Sequence, residues 1–284
     1  MRFGVTLPNV GTYGDARTLS GIAGLAEETG WDGVFVWDTL HYQADENAVC
    51  DPWIALAAIA MRTQRIKIGT MVAAPTRRRP WKMARETTTL DHLSHGRFIL
   101  GVGAGDGSDR GFTAFGEERD AGKRARLLDE SLEILQGLWS GQPFSHSGEH
   151  YRVEEITFSP PPVQTPRIPI WIGGMWPRKG PMARAARFDG VNAFTKRDDG
   201  TYGDLTPAEI QQLKRFMDEH HTAPTPFDIV TGGRVFDAID DERARALLRA
   251  HTAAGTTWCL ENIWPDREID DVRAAIQKGP PRLE

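Results

Sequence analysis

The sequence lacks the features that mark secreted, membrane-spanning or metal-stapled proteins. It has two cysteines, Cys50 and Cys259, which lie far apart and outside any metal-ligand spacing. Such a pair indicates two free thiols and a cytoplasmic protein. No apolar run approaches the about 20 residues that cross a bilayer, so no membrane-spanning helix is expected. The N-terminus, MRFGVTLPNV, has no charged segment followed by a long apolar one, so no signal peptide is expected.

The sequence also has no large excess of charge of either sign. Lys and Arg total 34 against 39 Asp and Glu, a formal net charge of −5, and no long basic stripe overrides it. This balance excludes a general binder of nucleic acid or of anionic membranes. The hydrophobic content of 40% and charged content of 26% fit a soluble globular enzyme and argue against disorder. A length of 284 residues allows two domains, but α/β barrels of this size form one.

Short apolar runs alternate along the chain with longer stretches of helical periodicity. Strands that are buried on both faces are short, rich in β-branched residues and not alternating, and these runs fit that description. The runs are Phe3–Leu7, Gly33–Trp37, Ile66–Val72, Phe98–Val102, Ile168–Ile172, Val191–Phe194, Phe227–Val230 and Trp258–Leu260. Eight even repeats without a domain break predict a single α/β domain over residues 1–284, a closed (β/α)8 TIM barrel. An open doubly wound sheet is the alternative.

Several helix starts are readable. Asp51-Pro52 is an acidic cap followed by proline, and Thr206-Pro207-Ala208-Glu209 is a capping box. The longest predicted helix, near Gly122–Trp139, carries leucines on its inner face. After it the repeat is interrupted at Gly141–Pro166, a stretch rich in Gly, Pro, Ser and His. We expect an excursion there, with a hairpin over Phe144–Val153.

A closed barrel places its chemistry at the carboxyl ends of the strands. Gly101-Val102-Gly103-Ala104-Gly105-Asp106 follows the fourth strand, where glycines let backbone approach a flat ring or a phosphate. Gly173-Gly174 is expected to follow the fifth strand and could form an amide nest for an anion. A tight turn at the rim is the alternative for both segments.

Polar side chains also follow the second strand. Asp38, Thr39 and His41 come directly after Trp37, and an extended chain would point Thr39 and His41 to the same side. The ordinary pKa of histidine lies near neutrality, so His41 could act as a general acid or base. The alternative is a rim histidine bonded to a backbone carbonyl.

Cationic residues occur at two further strand ends. Arg77, Arg78 and Arg79 precede a helix; such a run is most often a solvated face, but it could hold an anionic tail. Lys196 closes the sixth strand, where a lysine could form the Schiff base of a barrel aldolase, although an exposed lysine is the simpler interpretation. No histidine pair has the spacing of a metal site, so no metal is expected.

Five stretches together resemble the bacterial luciferase-like family of flavin- and deazaflavin-dependent oxidoreductases. They are MRFGVTLPN, GWDGVFVWDTL, RIKIGTMVAAPTRRRPWKMARETTTLDHLSHGRFILGVGAGD, PRIPIWIGG and AARFDGVNAF. The similarity covers residues 1–195, and the run Leu90–Arg97 is especially typical of the family. The resemblance implies a single TIM barrel, a homodimer, and reduced FMN or the reduced deazaflavin coenzyme F420 in the barrel mouth. With FMN, oxygen is activated to oxidise a small organic substrate, as in a monooxygenase; with a deazaflavin, a hydride is transferred.

The resemblance also implies roles for particular residues. Asp38 and Asp106 would be acids near the ring, with His41 as the third catalytic candidate. A non-proline cis peptide bond would join Met71 and Val72 and support the ring. The remaining residues expected to contact the cofactor are Thr39, Gly103, Ala104, Gly105, Gly173, Gly174 and Met175, with Gly173 and Gly174 as backbone on the phosphate side.

Two departures from the family pattern leave the chemistry open. Thr39 stands where many members have a histidine, and Ala104 stands where luciferase-type members have the arginine that holds the FMN phosphate. Asp106 in Gly-Ala-Gly-Asp is more similar to deazaflavin members. FMN and F420 both remain candidates. The alternative functions are a Schiff-base aldolase or lyase that uses Lys196, and a non-catalytic flavin-binding barrel.

Overall fold

The computed structural model describes residues 1–42 and 48–283, in which strands and helices alternate. The strands are β1 (Arg2–Leu7), β2 (Gly33–Val36), β3 (Lys67–Ala73), β4 (Phe98–Val102), β5 (Phe144–Ser147), β6 (Arg152–Ile156), β7 (Ile170–Met175), β8 (Gly190–Lys196), β9 (Tyr202–Gly203), β10 (Asp228–Gly232) and β11 (Trp258–Asn262). The helices are α1 (Ala16–Glu28), α2 (Pro52–Arg62), α3 (Pro80–Leu93), α4 (Arg110–Thr113), α5 (Ala121–Trp139), α6 (Lys179–Ala185), α7 (Pro207–His220), α8 (Asp237–Asp240), α9 (Glu242–Ala254) and α10 (Ile269–Gln277). Each of these helices is too short or too polar to cross a membrane.

Eight parallel strands close into a barrel. Their order is β10, β11, β1, β2, β3, β4, β7, β8, and the ring closes because β8 also pairs with β10, for example Val191 with Ile229. Every one of these pairings is parallel. The predicted (β/α)8 barrel is therefore confirmed, and the open doubly wound sheet is excluded.

The helix starts form as the sequence predicts. The Asp51 carboxylate accepts hydrogen bonds from the amides of Trp53 and Ile54, with Pro52 in the first turn. Thr206 and Glu209 form a reciprocal capping box at the start of α7. These caps satisfy amides that have no partner within the helix.

The predicted bounds of the fifth barrel strand are wrong. The strand was expected over Ile168–Ile172, but β7 begins at Ile170, after Pro169, and continues to Met175. Proline lacks an N–H for the ladder, which explains the late start. The late end places Gly173 and Gly174 inside the strand, paired with Asn192 and Ala193, and not in a turn after it.

The excursion contains the predicted hairpin, in which β5 pairs antiparallel with β6 and Phe144 lies opposite Ile156. Asp91, near the end of α3, forms hydrogen bonds with the segment that follows the hairpin. Its carboxylate accepts hydrogen bonds from the amides of Val163 and Gln164 and from the Gln164 side chain. The run that is typical of the family thus has a structural role at this position.

Side chains that point into the barrel form a separate core. It consists of Phe35, Met71, Ile99, Trp171, Val230, Trp258 and Leu260. The rings of Phe35, Trp171 and Trp258 contact one another, with centroids 5.2–5.9 Å apart. Three large rings fill the inner part of the barrel, as barrel interiors require.

Candidate active site

A cavity of about 660 Å³ opens at the carboxyl end of the barrel. This volume lies within the range of small-molecule sites. Its walls come from the segments that follow β2, β3, β4, β7 and β8. The lining residues are Trp37, Asp38, Thr39, Met71, Val72, Ala74, Arg77, Gly103, Ala104, Gly105, Asp106, Asp109, Phe112, Arg124, Gly173, Met175, Arg178, Asn192, Phe194 and Tyr202.

The floor of the cavity is the end of β3. The Met71–Val72 peptide bond is cis, as the family resemblance implies, and the register between β3 and β4 shifts between Thr70 and Ala73. Gly103 and Gly173 flank the Val72 side chain: a Cβ atom on either glycine would lie 3.1 or 3.0 Å from a Val72 methyl. Because neither glycine carries a side chain, the Val72 side chain projects between them and faces open space in the cavity.

Asp38 lies at the centre of a buried ion-pair network. Its carboxylate accepts from the Ala74 amide at 3.1 Å and from Arg78 Nε at 3.3 Å, and it lies 3.5 Å from Arg77 Nη2. The side chains of Asp38 and Arg77 are 0% and 3% exposed. Burial lowers the pKa of Arg78, but the Asp38 carboxylate outweighs it, so that pKa is raised. The network fixes the carboxyl ends of β2 and β3 against each other.

The expectation that the arginine run is a solvated face is wrong for two of its members. Arg77 is buried and Arg78 is mostly buried, because both are paired with Asp38; only Arg79 is exposed. Arg77 also lies 3.7 Å from the Asp109 carboxylate, which caps α4. Through Arg77, the segment after β4 is thus connected to the segment after β2.

Asp106 lies at the cavity rim and turns toward its own loop. Its Oδ1 accepts hydrogen bonds from the amide and hydroxyl of Ser108, at 2.9 and 2.7 Å. These two bonds, with a further contribution from Arg124, lower the pKa of the Asp106 carboxyl. A carboxylate that is held ionised can accept a proton but is a poor proton donor.

Thr39 and His41 differ in their position relative to the cavity. The buried Asn9 side chain donates to the Thr39 carbonyl at 2.9 Å and accepts from the Thr39 amide at 3.2 Å, which fixes Thr39 at the cavity. Among the described residues, the cavity lining includes Thr39 but not His41. The structure therefore places Thr39, but not His41, among the predicted residues that line the cavity.

The glycines of β7 do not form the expected amide nest. Gly173 points into the barrel and lines the cavity, but Gly174 points outward. A Cβ on Gly174 would lie 2.7 Å from the Pro181 side chain, so this glycine allows α6 to pack closely. The amide-nest interpretation is wrong because β7 is longer than predicted.

The region from the end of β4 into α5 contains the predicted Gly105 and also Phe112 and Arg124, which the sequence reasoning missed. Gly105 has φ +74° and lies so close to Phe112 that a Cβ would be 2.3 Å from the ring. Arg124, in the first turns of α5, is 7% exposed and reaches back to the Ala104 carbonyl. One signal could have found Arg124: it occupies the next position of the leucine stripe at 128, 132 and 135.

The other candidate residues lie away from the cavity. Lys196 is exposed at the end of β8, with its ammonium 5.9 Å from the Tyr202 ring centroid. No group of three His, Cys, Asp or Glu side chains in the described residues could hold a metal ion.

The barrel and this cavity define a class of enzymes, and comparison with known proteins agrees. The family model "Luciferase-like monooxygenase" matches residues 1–280. The chain belongs to this family, as the sequence predicted, and is therefore an enzyme of the oxidoreductase class.

Relatives of known sequence include both cofactor types. The chain is 36% identical over 233 residues to an uncharacterized protein of Mycobacterium tuberculosis, covering 82% of this chain and 76% of that protein. It is 32% identical over 215 residues to the F420-dependent glucose-6-phosphate dehydrogenase of Nakamurella multipartita, covering 72% and 61%. It is 28% identical over 224 residues to the oxygenase component of the flavin-dependent trigonelline monooxygenase of Acinetobacter baylyi, covering 76% and 54%.

Solved structures share the fold. An F420-dependent secondary alcohol dehydrogenase in complex with an F420–acetone adduct superposes with a TM-score of 0.78 at 18% identity, covering 100% of this chain and 99% of that one. The monooxygenase RslO1 from Streptomyces bottropensis gives 0.75 at 21% identity, covering 98% and 97%.

Proposed function

We propose that this protein is an oxidoreductase that holds reduced FMN or reduced F420 in the carboxyl-end cavity and acts there on a small organic substrate. The observation that carries the proposal is the cavity floor, where the Val72 side chain lies between Gly103 and Gly173 and faces the open cavity. The family favours this function over an aldolase, and the exposed position of Lys196 agrees with that preference.

The residues present fit such a cofactor. A flat tricyclic ring needs a smooth apolar support, which Met71 and Val72 supply, and an open approach, which Gly103 and Gly173 supply. Aromatic pairs border the cavity rim: Trp37 packs edge-on against Trp264, with centroids 5.4 Å apart. Phe194 packs in the same way against Tyr202, at 5.7 Å.

When bound, the cofactor supplies a reducing ring, which either activates oxygen or exchanges a hydride with the substrate. The chain's own residues orient the cofactor and bind or release protons. The Asp38–Arg77–Arg78 network holds the Ala74 amide and the end of β3 in place, so we assign Asp38 a positioning role. Asp106 lies at the cavity rim, where the lowered pKa of its carboxyl keeps a negative charge, and we retain it as a catalytic candidate. His41 stays the third catalytic candidate, and it is not among the described residues that line the cavity.

The remaining residues that line the cavity opening indicate the substrate class. The inward side chains of β8 at this level are Asn192 and Phe194, and Tyr202 of β9 follows them at the rim. One amide beside aromatic faces suits a planar or apolar molecule that carries a single polar group.

An anaerobic titration of the protein tests the proposed function. Reduced FMN and reduced F420 are each added, and the absorbance and emission of the ring are followed. We expect saturable binding of one ring per chain for at least one of the two, because the cavity accommodates one. Failure of a folded sample to bind either cofactor would remove the proposal.

We also propose that the protein is a cytoplasmic homodimer that pairs through α2. Cys50 and Cys259 are both free, which suits a reducing compartment. Ile54 and Met61 of α2 are each 67% exposed, and Ala57 and Ala58 lie between them on the same face. This stripe is self-complementary: a two-fold axis at the alanines sets Ile54 of each chain against Met61 of its partner.

Replacing both Ile54 and Met61 with glutamate is expected to convert the dimer into monomers, because charges would be buried at the two-fold axis. Light scattering coupled to gel filtration reports the mass. The control is Ile156→Glu, which changes an exposed apolar residue of β6 (46% exposed) and should leave the mass unchanged. A wild-type protein with the mass of one chain would contradict the proposal.

A further inference from the structure

The barrel mouth has a second side, formed by β10, β11 and β1, which complete the ring of strands. Val230 and Leu260 belong to the inner core of the barrel. Side chains alternate along a strand, so the residues two positions further on, Gly232 of β10 and Asn262 of β11, also point into the barrel. Thr6 of β1 lies opposite Asn262 in the register. These inward positions lie above the aromatic core at the carboxyl end.

Asp204 places its carboxylate over Gly232. The residue follows β9, two positions after Tyr202, which lines the cavity. A Cβ atom on Gly232 would lie 2.0 Å from Asp204 Oδ1, so the absence of a side chain on this glycine admits the carboxylate. Asp204 is exposed, and a molecule in the mouth can therefore reach it.

The Asn262 side chain approaches the same point in a fixed orientation. Its Oδ1 accepts a hydrogen bond from the Thr6 hydroxyl at 2.8 Å, and Thr6 is buried. That bond leaves Nδ2 on the side of Gly232, 2.9 Å from the position that a Cβ atom would take there. Within the described ranges, Asn262 Nδ2 donates no hydrogen bond, so the amide presents an unused donor beside the Asp204 carboxylate.

The Asp204 carboxylate also lacks a partner among the described residues. Arg197 donates to the backbone carbonyl of Asp204 and pairs through its guanidinium with Glu209, at 3.3 Å. Protein surrounds the Asp204 carboxyl on several sides, and this partial burial raises its pKa, which Arg197 offsets only in part. A ligand that donates a hydrogen bond to this carboxylate would stabilise its charged form.

We propose that Asp204 and Asn262 bind a hydroxyl group of the substrate, which accepts a hydrogen bond from Asn262 Nδ2 and donates one to the Asp204 carboxylate. A hydroxyl group both accepts and donates, whereas an ether oxygen only accepts and an ammonium group only donates. The inference rests on the proposed function, because it names the polar group of the molecule that the cavity receives. The substrate class is a small alcohol with a planar or apolar body.

The test measures the binding of matched probes, not turnover. Benzyl alcohol and cyclohexylmethanol are each compared with their methyl ethers, which keep the oxygen but lose the donor. Ligand-observed NMR gives the dissociation constants, with and without the cofactor that the titration selects. In the wild type, each alcohol should bind about tenfold more tightly than its ether, as one hydrogen bond to a charged acceptor allows.

Two variants remove or displace the acceptor. Asp204→Ala should reduce the preference for the alcohol to less than about twofold and leave the affinity for the ether within about threefold of wild type. Gly232→Ala keeps both polar side chains but places a methyl group where they meet, and it should lose the preference as well. Thermal unfolding checks that each variant folds.

Two further variants serve as controls. Asp204→Asn keeps an acceptor oxygen without the charge and should keep part of the preference. Asp198→Ala removes an exposed carboxylate from the segment between β8 and β9 and should change neither constant.

The outcomes separate this inference from the proposed function. A wild type without any preference for the alcohols, or a folded Asp204→Ala variant that retains the full preference, would overturn the role of the pair. Equal losses for alcohol and ether in Asp204→Ala would do the same, because they indicate a structural role. If neither cofactor binds but the hydroxyl preference depends on Asp204, the alcohol site stands and the proposed function fails.

Discussion

Replacing Asp38 with asparagine is expected to lower the free energy of unfolding by about 3–5 kcal/mol, the cost of removing one partner from a buried ion pair. Asparagine keeps the shape of the side chain but leaves Arg77, which is 3% exposed, without its main counter-charge. The melting temperature should fall by roughly 10 °C. Chemical unfolding followed by circular dichroism measures the free energy directly.

The matched control removes an exposed ion pair. Glu28 and Arg62 are 60% and 54% exposed, so Glu28→Gln should cost less than about 1 kcal/mol. If Asp38→Asn retained full stability while turnover collapsed, Asp38 would be a catalytic acid and not a positioning residue.

Filling the cavity is expected to abolish cofactor binding without unfolding the protein. Asn192 lies on β8 opposite Gly173 and lines the cavity. A tryptophan there would occupy the space in front of Gly173, so Asn192→Trp should weaken binding of the preferred cofactor by about 100-fold, or about 2.8 kcal/mol. Ring fluorescence measures the affinity, and thermal unfolding checks the fold.

Asn192→Ala provides the control at the same position, because it removes the same amide but leaves the cavity open. We expect its affinity to stay within about tenfold of wild type, as the loss of one hydrogen bond allows. Similar losses in the two variants would mean that the amide is required and that the space in front of Gly173 is not.

The barrel could be predicted from the sequence because its signals are local. Buried parallel strands have a recognisable composition, and the caps at Asp51 and Thr206 act within three residues. The cis bond at Met71–Val72 followed from a family resemblance and not from any physical pattern. The bounds of β7 were missed because a strand may continue through Gly173 and Gly174 when their Cα atoms face a neighbour closely.

The electrostatics of the site could not be predicted, because they depend on residues distant in sequence. Three consecutive arginines have the composition of a solvated surface; only the fold brings Asp38 to Arg77 and Arg78 and buries them. Arg124 was missed for a related reason, although its position in the apolar stripe of α5 was a readable signal of burial.

A crystal structure of the complex with the cofactor that the titration selects tests the central claim most directly. The account predicts one face of the ring against Val72, between Gly103 and Gly173. A ring bound elsewhere would contradict it, for example in the cavity of about 370 Å³ that Arg2, Trp31, Lys67 and Trp258 line at the opposite end of the barrel.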